Sequence, residues 1–360
     1  KCLFLIIYMF KIHSVGGYSE VGKNMTVLET DSDAFIFDSG LYLPPIVEME
    51  EREKFTYNAE SLRRIGALPE DGILKQQNIS QKVRAMLISH AHLDHVGAVP
   101  FTAPNYNAEV VGTPFTISVL SSILKDEKIM IRNKLKTIQP NSSYTLKGKN
   151  DYYVEFINLT HSTLQNSMIA VHTKQGIFVY CNDFKFDNTP IVGKKPDYDA
   201  IKRLGKQGVK AVVLNSLYSN DERKTPSERI ARDLLEDVLF TTDNEKSAIV
   251  VTTFSSHIAR LKSIVDFGKK LNRQVVFVGR SLNRYVSAAK RINLCPFERD
   301  IEMASYKNQM EKLLKKVNKN RKEYLLVCTG QQGEPGSILD RMSRNKLPFN
   351  LNKNDHLIFS

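Results

Sequence analysis

Cysteine is scarce: Cys2, Cys181, Cys295 and Cys328 are the only four in 360 residues, scattered and without a C-x-x-C pair. That scarcity excludes a disulfide framework and a thiolate zinc site, and it points to a reducing, cytoplasmic compartment. No apolar tract is long enough to span a bilayer, so no membrane partner is expected. The apolar opening Leu3–Tyr8 is short and no small-residue cleavage site follows it, which argues against a signal peptide; Met9-Phe10-Lys11 reads as the natural start. Internal repeats and low-complexity linkers are missing as well.

What is present is an ordinary globular composition, 42% hydrophobic and 25% charged, in a chain long enough for two domains, expected at 9–203 and 204–360. The net charge of +12 favours a polyanionic partner through steering and counterion release, although a solvated Lys-rich surface gives the same count. Histidine is used unevenly. Of eight in the chain, three fall in His90-Ala91-His92-Leu93-Asp94-His95, directly after the apolar run Val83–Ile88. That run reads as a buried strand, so the cluster stands where a strand ends. His90 and His92 alternate and project to one side, whereas adjacent Asp94 and His95 leave at different angles. One ion cannot comfortably take all four; two neighbouring ions can, and the donor set suits zinc.

Other strand ends repeat the pattern. Tyr152–Leu159 delivers His161, Gly176–Cys181 delivers Asp183, and Ala34–Phe37 delivers Asp38. Gly16–Asn24 has the G-x-x-x-x-G-K spacing, but Asn24 lacks a magnesium-binding hydroxyl and a strand pattern follows, so a tight turn near the site is expected instead of a phosphate loop. From about residue 204 strands alternate with helices, which predicts a parallel sheet opened by Ala211–Leu214. Thr225-Pro226-Ser227-Glu228 reads as a capping box, and Lys307–Lys322 as either a solvated helix face or an RNA patch.

The H-x-H-x-D-H string resembles the signature of the metallo-β-lactamase superfamily. Gly-Gly-x-x-Glu-Val-Gly-Lys-Asn at 16–24, Asp-Phe-Lys-Phe-Asp at 183–187, Thr-Pro-Ser-Glu at 225–228, Gly-Arg-Ser at 279–281 and Gly-Gln-Gln-Gly-Glu-Pro at 330–335 narrow the resemblance to ribonuclease J, in its shorter archaeal form. It implies an α/β fold, an αββα metallo-β-lactamase sandwich with a β-CASP domain. The implied activity is metal-dependent, mainly 5′→3′ exonucleolytic hydrolysis of RNA, with 5′-monophosphorylated RNA as partner. It also implies that His90, His92 and His161 hold one zinc, that Asp94 and His95 hold a second, and that Asp183 bridges them. Arg280, Ser281 and Gln332 are expected at strand ends that meet nucleic acid. A homodimer is allowed by the sequence and not demanded by it.

Two departures stand out. Asn215 occupies the position of a family acid that assists leaving-group protonation, and an amide cannot relay a proton as a carboxyl group does. The family's His-x-Ser-Gly-His stretch and last metal His fall downstream of a strand like Leu357–Ser360, so the resemblance implies a longer reading frame. These departures keep an RNA-binding protein with weak or no catalysis as an alternative, with a small-molecule metallo-hydrolase behind it.

Overall fold

A computed structural model describes residues 10–52, 56–147 and 150–360; Cys2 and the expected start at Met9 lie outside them. The first sheet runs in the order β1 (Lys11–Gly16), β2 (Met25–Glu29), β3 (Ala34–Phe37), β4 (Val83–Ile88), β5 (Glu109–Gly112), β6 (Leu135–Thr137). It is antiparallel from β1 to β3 and parallel from β3 onward. The second sheet contains β7 (Ser142–Leu146), β8 (Tyr152–Asn158), β9 (Ser167–Thr173), β10 (Gly176–Cys181) and β11 (Val209–Leu214).

Alternation along the strands builds the layers. Phe35, Phe37, Ala85 and Leu87 from one sheet meet Val154, Phe156, Ile169, Val171, Phe178 and Tyr180 from the other. The intervening residues Ile36, Met86 and Ile88 face the opposite way, into a cluster with Phe115 and Leu120 of the helix Pro114–Asp126. On the far side Ile157, Met168, Ala170, Ile177 and Val179 pack under Leu204 of the helix Tyr198–Gln207. Two apolar faces per sheet, period two, require a helix outside each sheet, and the αββα sandwich follows.

The third sheet has the order β14 (Ile301–Ala304), β13 (Gln274–Val278), β15 (Tyr324–Cys328), β12 (Ile249–Thr252), β16 (His356–Phe359), every pairing parallel. Val251, Val275, Phe277 and Val327 face the helices Ile258–Lys270 and Arg280–Arg291, while Val250, Val276, Val278 and Leu326 face Lys307–Lys319 and Ile338–Ser343. Met310, Leu313, Leu314 and Val317 are buried, so Lys307–Lys319 is an amphipathic cover helix with its lysines outward.

One boundary moves. Ala211–Leu214 was expected to open the parallel domain, yet it lies in the strand Val209–Leu214, which pairs with β10 and closes the second sheet of the sandwich. Its half-exposed alternation marks an edge strand, reached from β10 through the helix Tyr198–Gln207 as a parallel crossover. The sandwich therefore extends past 203 to 214. A second correction is smaller: Ser227, not Thr225, caps the helix Glu228–Thr241.

Candidate metal centre

β4 ends at Ile88 and the chain turns through Ser89–His92 into the single-turn helix Leu93–Val96, whose N-cap is His92. That turn separates the side chains of His90, His92, Asp94 and His95 into two groups. His90, His92, His161 and Asp183 present donor atoms within 4.8 Å of one another, and so do Asp94, His95 and Asp183. Asp183 belongs to both sets. His92 Nδ1 lies 3.1 Å from His90 Nε2 and 3.2 Å from His161 Nε2. Such spacing lets one ion with bonds of about 2.0–2.2 Å reach each set.

The turn is held from behind. Asp38, fully buried at the end of β3, accepts from Ser89 N (2.7 Å), Ser89 Oγ (2.8 Å) and Tyr180 Oη (2.9 Å), and it contacts His95 Nδ1 at 2.8 Å. Asn24, closing the glycine-rich loop, donates through Nδ2 to Asp94 O at 2.9 Å, and its backbone N–H reaches the same carbonyl at 3.1 Å. The loop thus braces the site, as its glycines and following strand predict. A Cβ on Gly40 would stand 1.5 Å from Asp94 O, so only glycine lets β3's exit pass this close. Asn166 Nδ2 donates to Asp183 O at 2.8 Å, and Asn215 Nδ2 to Asp183 Oδ1 at 2.5 Å. The Leu217 N–H bonded to Asn215 Oδ1 at 2.7 Å fixes which way that amide faces.

Electrostatics divides the imidazoles. Burial, and then the neighbouring His rings, hold His90 well below the usual histidine range. Burial above all brings His92 to about 4 and His161 to about 3. All three are neutral near pH 7 and offer lone pairs. His95 is also desolvated, but Asp94, Asp38 and Asp183 outweigh that and raise it well above its ordinary value. Burial works against ionised Asp183, yet His95, His161 and the Asn215 amide hold it below the usual carboxylate range. Three neutral imidazoles beside ionised carboxylates form a donor set that fits a borderline divalent cation, and at His95 an ion would take the place of the proton.

Three of the four remaining histidines have structural partners. His13 pairs with Glu29, His172 with Glu155, and His257 caps the helix Ile258–Lys270 and pairs with Glu228. Glu228 is buried and also bound by Arg260 at 2.5 and 3.0 Å. Burial favours its neutral form, but His257 and Arg260 prevail and lower it from 4.5 to about 2. A folded-state value below the unfolded one contributes stability above pH 4.5 that is lost as pH falls toward 2, about 3 kcal/mol in full. Glu228→Gln should therefore cost about 3 kcal/mol in urea unfolding at pH 7 and under about 1 kcal/mol near pH 2. An equal cost at both pH values would refute this.

A cavity of about 260 Å³ opens beside His161, between Leu164, Lys185 and Val192 of the sandwich and Glu228, His257 and Ile258 of the second domain. Arg280 is exposed at the start of its helix, with no ion pair among the described residues, and Ser281 follows it. Gln332 is exposed beyond β15. These three stand at the C-terminal ends of adjacent strands, the edge where parallel sheets receive ligands. Sequence reasoning missed Tyr180, Asn166, Tyr285 and Ser256 as supports. Only Ser256 carried a cue, a hydroxyl just past a parallel strand's C-terminal end.

The sandwich, the paired ligand sets and the parallel sheet define a metallo-β-lactamase fold with a β-CASP domain, a class whose fold implies a metal cofactor. A family model for the ribonuclease J β-CASP domain matches residues 246–360, and one for class-II cAMP phosphodiesterases matches residues 23–192. Ribonuclease J of Methanocaldococcus jannaschii is 42% identical over 352 residues, 97% of this chain and 78% of that protein. Ribonuclease J of Pyrococcus abyssi is 39% identical over 98% of this chain and 77% of its own length. A crystal structure of a protein of unknown function from Enterococcus faecalis superposes with TM-score 0.64 at 15% identity, over 98% of this chain and 89% of that one. The chain belongs to the ribonuclease J family.

Proposed function

We propose that this chain is a zinc-dependent ribonuclease that hydrolyses RNA phosphodiester bonds from the 5′ end, favouring a 5′-monophosphate, in the cytoplasm. The observation that carries the reading is the convergence of two donor sets on Asp183. His90, His92 and His161 would hold one zinc ion, Asp94 and His95 a second, with Asp183 shared. Bound there, the ions supply hydroxide near neutral pH and positive charge for the scissile phosphate. Arg280, Ser281 and Gln332 would meet the RNA backbone, and the chain's charge of +12 draws the polyanion in. The names of the archaeal relatives supply the RNA.

Asn215 in this reading holds Asp183 in place and does not move a proton. Losing an exposed hydrogen bond to a charged group costs about 1 kcal/mol. Asn215→Ala should then weaken metal held by Asp183 and slow RNA cleavage, each about tenfold or less. A loss near 10³-fold would instead indicate a direct part in proton transfer.

The family match over 23–192 favours one further reading, a phosphodiesterase for a small cyclic nucleotide. Purified chain with zinc, given 5′-monophosphorylated RNA, 5′-hydroxyl RNA and cAMP separately, distinguishes them. Mononucleotide release from the monophosphorylated RNA is expected. Turnover of cAMP with RNA left intact would replace the ribonuclease reading.

A further inference from the structure

We propose that the β-CASP domain completes the metal centre: Ser256 is a positioning residue for His92, and Tyr285 holds the turn that carries it. This rests on the metal-binding reading above and adds a dependence of one domain's metal site on the other.

His92 faces two ways. Its Nδ1 points inward toward His90 and His161, and its Nε2 lies 3.0 Å from Ser256 Oγ. A neutral imidazole carries its proton on one nitrogen, and the partner of the outer nitrogen decides which. For Nδ1 to offer a lone pair inward, the proton must sit on Nε2, where Ser256 Oγ accepts it. Ser256 is only 6% exposed, so water competes poorly for that role. The hydroxyl is also held on rigid backbone. Ser256 lies between β12 and the helix Ile258–Lys270, in a turn closed by His257 N to Phe254 O at 3.1 Å and Ile258 N to Ser256 O at 3.0 Å.

A second contact comes from another element. Tyr285, buried on the helix Arg280–Arg291, donates through its hydroxyl to Ala91 O at 3.1 Å. Ala91 separates the two histidines of the H-x-H pair, so two neighbouring residues of the turn are tied to the second domain. The helix itself is fixed against the sandwich, where Arg291 donates to Ser118 O at 2.7 Å and Ser118 Oγ donates to Ala288 O at 3.0 Å.

The contrast with the other ligands sharpens the assignment. The outer nitrogen of His90 meets Ser89, and that of His95 meets Asp38, both within the sandwich. His92 is the ligand, among the described residues, whose outer nitrogen is met by the other domain. Domain docking and metal affinity are then linked, and a ligand that separates the domains would loosen the ion.

The test is zinc affinity of the 360-residue chain, measured by competition with a chromogenic chelator, alongside the melting temperature of metal-free protein. Partners of this kind contribute 10–100-fold in metal affinity. Ser256→Ala should weaken zinc binding by about that factor while the metal-free protein melts as the parent does. Ser256→Thr, which keeps the hydroxyl, should recover most of the loss, and Tyr285→Phe should weaken zinc binding several-fold on its own. Affinity of Ser256→Ala within about twofold of the parent overturns the proposal. So does a loss accompanied by a matching fall in the metal-free melting temperature, for Ser256→Ala and Tyr285→Phe alike. Failure of the metal reading looks different: the parent itself would leave all zinc to the chelator.

Discussion

Replacing His92 and His161 together by alanine is expected to remove bound metal and to cut RNA cleavage by about 10³-fold or more. Both rings lie in the four-donor set with His90 and Asp183, and burial keeps both neutral near pH 7. Two donors remain after the change, too few for the four-coordinate site zinc prefers. Without an ion, water would have to attack with its bulk pKa of about 15.7 in place of about 7, which is where most of the rate would go. The fold should survive, because His161 is partly exposed and both residues stand at the mouth of the site. Elemental analysis of the purified variant, beside parent stripped with chelator and reloaded, measures the first half; decay of 5′-monophosphorylated RNA measures the second. Stoichiometric zinc on the double variant would show that the donors lie elsewhere.

Much of this centre was legible before any coordinates, and the reason is local. His90, His92, Asp94 and His95 fall within six residues of continuous chain, and His161, Asp183 and Asp38 each follow an apolar run whose strand character is plain. A strand end in a layered α/β fold faces the site, so spacing, periodicity and the family pattern pointed to residues whose donor atoms the fold brings together. The boundary at 204 failed for the opposite reason. Periodicity says that Val209–Leu214 is a strand but not which sheet accepts it, and its pairing with β10 is a long-range choice. Ser256 and Tyr285 were hidden for the same cause. They meet the metal turn across 164 and 194 residues of chain; the local pattern of Tyr285 announces nothing, and that of Ser256 offers only a hydroxyl past a strand end. Asn24 fell in between: its loop was placed near the site, while its side-chain bond to Asp94 O was not foreseen.

Asp38→Asn is expected to destabilise the fold by about 3–5 kcal/mol and to empty the ion site of Asp94 and His95 before that of His90, His92 and His161. The argument is an accounting of donors. Asp38 Oδ1 accepts from Ser89 N, while Oδ2 serves Ser89 Oγ, His95 Nδ1 and Tyr180 Oη, all in a fully buried setting. A carboxylate is acceptor-only on both oxygens, whereas an amide has one acceptor and one donor end. With its oxygen toward Ser89 N, asparagine turns N–H groups toward three donors. Flipped, it sets N–H against N–H at Ser89. Either way a buried donor is left unpaired, and His95 loses a negative neighbour that orients it. Backbone strain does not confound the comparison, because Asp38 has φ of +60° and asparagine tolerates that left-handed region about as well as aspartate. Urea unfolding of metal-free protein gives the stability change, and zinc titration separates the two sites. A cost below about 1 kcal/mol with both sites intact would mean that Asp38 merely fills space behind the turn.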